Sequence, residues 1–86
     1  MATRISRSFR GISERLVIRY LTNLGGEQVA EDTVEGDDWT ATFSSATVDI
    51  GPSLQLTEVT IVFEGEEETL DPLVERFAQK AMRAGG

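Results

Sequence analysis

Apolar and polar positions alternate, cluster and alternate again along this chain, and the changes of period mark its elements. In residues 3–10, Ile5 and Phe9 fall on one side of an extended strand and Arg4, Ser6, Ser8 and Arg10 on the other. Residues 5, 9, 12 and 16 also fit a helical stripe, but Gly11 argues against one continuous helix, because glycine costs about 1 kcal/mol relative to alanine in a helix interior. From Ser13 the period becomes helical. Leu16, Val17, Tyr20, Leu21 and Leu24 share a face, Ser13 is placed to cap the N-terminus, and Gly25-Gly26 end the helix. Arg15 and Arg19, four residues apart, project from its polar side.

Residues 27–64 read as four strands. The first, weak and acidic, holds Val29 and Val34, and Gly36-Asp37-Asp38 then turns the chain. Trp39, Ala41 and Phe43 alternate with polar residues in the second. A turn at Ser44-Ser45 introduces the third, with Ala46, Val48 and Ile50, and Gly51-Pro52-Ser53 is the next turn. In the fourth, Leu54 and Leu56 are out of phase with Val59, Ile61 and Phe63, which predicts a bulge or bend at Thr57-Glu58.

A charged loop, 64–68, leads to a last helix. Asp71 is its expected N-cap and Pro72 its first residue, with an apolar stripe of Leu73, Val74, Phe77, Ala78, Ala81 and Met82. The expected fold is α+β, a two-layer antiparallel sheet with two amphipathic helices in the order β-α-β-β-β-β-α. One globular domain spans 1–84, and residues 85–86 form a diglycine tail.

Composition narrows the chemistry. At 86 residues there is little room for a deep cleft. The absence of cysteine and histidine removes disulfides, thiolate nucleophiles, Cys/His zinc sites and histidine acid–base catalysis. The net charge of −7 is divided. Residues 1–24 carry five arginines and one acid, whereas the remainder carries 14 acids and three bases. Acidity with a single lysine, Lys80, fits a protein adapted to high salt, and it also suits a face that docks a basic partner. It opposes nucleic-acid binding, which depends on neutralised phosphates. Asp37-Asp38 and Glu66-Glu67-Glu68 lack the ligand spacing of a calcium loop, so neither a metal nor another cofactor is expected. No apolar run is long enough for a membrane span, and the expected location is cytoplasmic.

The group left for chemistry is the terminal carboxylate. Gly85-Gly86 lacks side chains and can thread a narrow channel into an adenylating enzyme, where the Gly86 carboxylate can be activated. Alternatively, Gly85 only caps the last helix, and the chain is a protein-binding domain using a sheet face or Arg15 and Arg19.

Two resemblances meet in these residues. The segment from Trp39 to Gly86, with Leu56 to Val59, Phe63-Glu64-Gly65 and the closing helix, resembles the C-terminal domain of proteins related to the molybdopterin-synthase small subunit. That likeness implies a TATA-binding-protein-like body rather than a β-grasp. A small acidic chain ending in Gly85-Gly86 also resembles the small archaeal modifier proteins, which are ubiquitin-like tags or sulfur carriers. This second likeness implies a non-enzyme whose partners are an ATP-dependent adenylating enzyme and target-protein lysines. Ubiquitin-like β-grasp proteins carry the diglycine after a strand, whereas here it follows a helix.

Overall fold

The computed structural model describes residues 2–85, with side chains described as far as Met82. The elements are β1 (Ala2–Arg10), α1 (Glu14–Asn23), β2 (Glu27–Ala30), β3 (Thr33–Glu35), β4 (Trp39–Asp49), β5 (Gln55–Glu66) and α2 (Glu67–Gly85). The expected α+β order is therefore observed. The strands form one sheet in the order β1-β5-β4-β3-β2, antiparallel at every junction.

Burial divides the sheet into two faces. Register places Val34 beside Ala41, Ala41 beside Phe63, Phe43 beside Ile61, and Phe9 beside Val59. These residues share one face because side chains alternate along a strand. Both helices pack there. Val17 and Leu21 of α1, and Leu70 and Phe77 of α2, are fully buried in the same cluster as Val59, Ile61 and Phe63. Phe77 sits at the centre, with its ring 5.2 Å from that of Phe9 and 5.9 Å from those of Tyr20 and Phe63.

The start and stop signals of α1 act as expected. The Leu16 N–H donates to Ser13 Oγ, and Gly25 adopts φ +103°. The Gly25 and Gly26 N–H groups donate to the carbonyls of Thr22 and Leu21, which satisfies two of the helix's last acceptors.

Several expected boundaries are corrected. The segment holding Val29 and Val34 is not one strand but the β2–β3 hairpin, while the two strands expected on either side of Ser44-Ser45 are the single strand β4. There is no bulge at Thr57-Glu58, since β5 pairs with β4 in unbroken register from Gln55 to Gly65. The loop expected at 64–68 is absent. β5 runs through Glu66 and α2 starts at Glu67, so Asp71 is not the N-cap and Pro72 lies inside the helix. The first turn forms because Leu70, ahead of the proline, is fully buried. Pro72 removes only a bond to the Glu68 carbonyl near the helix start.

The Ser44-Ser45 and Thr57-Glu58 corrections have one cause. Ser45 lies opposite Val59, Ala46 opposite Glu58 and Thr47 opposite Thr57. Across this line the apolar residues of both strands change face together. Trp39, Ala41, Phe43, Val59, Ile61 and Phe63 point toward the helices, whereas Val48 and its cross-strand neighbour Leu56 point away. Beyond the end of β1, the β4–β5 hairpin is thus an arm of reversed amphipathicity. Its tip exposes Ile50 and Leu54, and the molecule measures 44 × 22 × 21 Å.

Candidate functional site at the end of the C-terminal helix

α2 is 19 residues long, about 28 Å of helix. Its buried stripe comprises Leu70, Leu73, Val74, Phe77 and Ala81. Met82, expected to continue it, is 72% exposed. The helix itself continues to Gly85, about 6 Å further along the axis than Ala81. Gly85 therefore belongs to α2, and Gly86 lies outside the described residues. Ala81 is buried, and the exposed Met82 stands between it and the diglycine in the sequence.

The basic N-terminal residues do not form one surface. Arg15 and Arg19 are exposed on α1, in the helical layer. Arg4 and Arg10 lie on the opposite, uncovered face of the sheet, where they meet carboxylates of β5. Arg4 Nη2 is 3.4 Å from Glu64 Oε1 and Arg10 Nε is 2.9 Å from Glu58 Oε2. Glu14, in the first turn of α1, instead accepts a hydrogen bond from the Ser45 hydroxyl and ties that helix to β4.

The acidic clusters are likewise divided. Asp37 and Asp38 are exposed in the turn before β4, while Glu66 ends β5 and Glu67 and Glu68 begin α2. Among the described residues, no group of three or more acidic side chains converges as a metal site. No helix is long and apolar enough to cross a membrane among the same residues.

Two features escaped the sequence pattern. One is the exposure of Met82, which a helical stripe assigns to the core. The other is the apolar side of the arm, whose signal was present as simultaneous phase changes in two strands.

No curated protein matches the chain closely enough to count as a relative. The family model described as archaeal MoaD-like protein matches residues 5–86, nearly the whole length and including both terminal glycines. Such a family suggests a small sulfur-carrier or ubiquitin-like protein. With its five-stranded antiparallel sheet, two helices and Gly85-Gly86 inside the matched region, the chain belongs to the archaeal MoaD-like protein family.

Proposed function

We propose that the protein is a ubiquitin-like modifier or sulfur carrier, not itself an enzyme, whose Gly86 carboxylate is activated by a separate ATP-dependent adenylating enzyme. The observation that carries this reading is the exposure of Met82 just ahead of the diglycine. Ala81 is buried, Met82 is exposed, and Gly85 and Gly86 follow within the next four residues. The body is read as TATA-binding-protein-like, supported by antiparallel pairing at every strand junction and by the element order β-α-β-β-β-β-α.

In this mechanism the carboxylate of Gly86 attacks the α-phosphorus of ATP and displaces pyrophosphate. The resulting acyl-adenylate transfers its acyl group to a lysine amine, forming an isopeptide, or to a sulfur nucleophile on the way to a thiocarboxylate, and AMP leaves in either case. Entry into a narrow channel requires the last turn of α2 to unwind. Gly85 favours this, since glycine is a weaker helix former than alanine. Met82 supplies an adaptable apolar contact for the activating enzyme. Deleting Gly85 and Gly86 tests the proposal in cells. The account expects covalent conjugates with the intact chain and none with the truncated one.

A second reading, a non-covalent protein-binding domain in which the glycines only finish the helix, is favoured by the arm. Val48, Ile50, Leu54 and Leu56 supply apolar surface outside the core cluster. On this reading partner capture survives removal of the diglycine and fails after Ile50→Glu or Leu54→Glu. A pull-down indifferent to the arm substitutions removes it.

A further inference from the structure

We propose that the free edge of β1, together with the groove between β1 and α2, captures an extended peptide of alternating apolar and acidic residues as a sixth strand of the sheet. This inference is independent of the reading of the C-terminus.

The two edges of the sheet are unlike. The β2 edge is four residues long, and its pairing with β3 shifts register between Gln28 and Ala30, a feature that blocks further pairing. The β1 edge is nine residues long and pairs with β5 without interruption from Ala2 to Arg10. Its hydrogen-bonding phase follows from the residue just beyond it. The Gly11 N–H donates to the Thr57 carbonyl, directly opposite in the continued register, so odd-numbered residues of β1 bond inward to β5. The even-numbered residues Arg4, Ser6, Ser8 and Arg10 therefore turn their N–H and C=O groups toward solvent. That row is the template an added strand needs.

Side chains for specificity lie on both sides of this row. On the helical side, a groove of about 430 Å³ runs between β1 and α2, lined by Ile5 and Phe9 from the strand and Val74 and Ala78 from the helix. Ile5 and Phe9 are only half-buried, unlike the fully buried Phe63 and Val59 opposite them. Alternate apolar side chains of an added strand would complete their burial. Arg7 also lines the groove, with Asp71 and Glu75 on the helix wall.

On the uncovered face the added strand's other side chains pass Arg4, Ser6, Ser8 and Arg10. Arg4 is 70% exposed and meets Glu64 through one long contact, which leaves most of its five N–H donors for a second carboxylate. On this face β1 presents Arg4 and Arg10 and no acid, so charge selects an acidic strand. A second copy of this chain is disfavoured by the same charges, because pairing β1 with itself gathers six arginines along one seam. The net charge of −7 repels an acidic peptide on average, so its capture reports this local edge.

The test is an amide chemical-shift titration of the full chain with a capped eight-residue peptide alternating valine and glutamate. The proposal expects shifts centred on β1 and on Val74 and Ala78, and slowed amide exchange at Arg4, Ser6, Ser8 and Arg10. Alternate backbone N-methylation of the peptide should weaken binding at least about tenfold, as should Ser6→Pro, which removes an outward N–H. Arg4→Gln should weaken it by about fivefold at low salt. A valine–lysine peptide should not bind at β1. Shifts confined to another surface, indifference to N-methylation, or equal binding of the lysine peptide at β1 would overturn the proposal. Concentration-dependent β1 shifts without peptide would overturn it in favour of a second copy. The N-methyl arm leaves the protein unaltered, so the test stands even if Ser6→Pro does not fold.

Discussion

Gly65 stands directly opposite Trp39 in the β4–β5 register, and the two backbones meet with no space for a side chain between them. A Cβ on Gly65 would lie 2.3 Å from the Asp38 carbonyl oxygen and 3.0 Å from Trp39 Cα, and its φ is +154°. β5 passes directly into α2 just beyond this contact, and Trp39 belongs to the buried core cluster. Gly65→Ala should therefore cost roughly 1–3 kcal/mol, through strain added to a backbone that cannot retreat. Chemical unfolding checks this, with Gly51→Ala as the control, since nothing lies within 4 Å of a Cβ there.

The arm should be separable from the core. Ile50 and Leu54 are 43% and 53% exposed, so Ile50→Glu and Leu54→Glu should change stability by no more than about 0.5 kcal/mol. They should also reduce binding of a hydrophobic dye. Val59→Glu, only a few residues away along β5 but fully buried, should unfold the domain. Unfolding curves for the three variants check the contrast.

Double-mutant cycles should rank the two ion pairs that bind β1 to β5. Arg10–Glu58, at 2.9 Å with Glu58 27% exposed, should couple more strongly than Arg4–Glu64, at 3.4 Å with both partners more than half exposed. Both energies should fall within about 0.2–1 kcal/mol and shrink as salt is raised. Equal couplings, insensitive to salt, would contradict this ranking.

The helical end of the chain should oppose activation measurably. Gly85→Ala favours the helical form of the last turn of α2 and adds a methyl group to the threading segment. Adenylate formation should slow by about fivefold or more while thermal stability is kept or raised. Timed release of pyrophosphate with the activating enzyme checks the rate.

Local signals made much of this fold legible in the sequence. Ser13, the apolar face from Leu16 to Leu24, and Gly25-Gly26 define α1 because caps and helical period act over a few residues. The alternation of Trp39, Ala41 and Phe43 exposes the core face of β4 in the same way. Where features depend on partners distant in sequence, the pattern misleads. Two serines at 44 and 45 look like a turn until Thr60 and Val59 are set beside them. Pro72 looks like a helix start until the burial of Leu70 holds the preceding turn in place. Met82 matches the stripe by spacing alone, yet its side chain is exposed, which depends on how α2 is turned against the sheet. Of the candidate site, Gly85-Gly86 could be read directly, whereas the free edge of β1 became visible only with the strand order.

The central claim concerns one carboxylate, and intact-mass analysis addresses it most directly. Purified protein is incubated with ATP and the adenylating enzyme of its own host, with and without a sulfur donor, beside a chain lacking Gly85 and Gly86. The account predicts a mass gain matching an acyl-adenylate, or a thiocarboxylate when sulfur is supplied, localised to Gly86 and absent from the truncated chain. An unchanged mass in the intact chain, or the same gain in the truncated one, would contradict it.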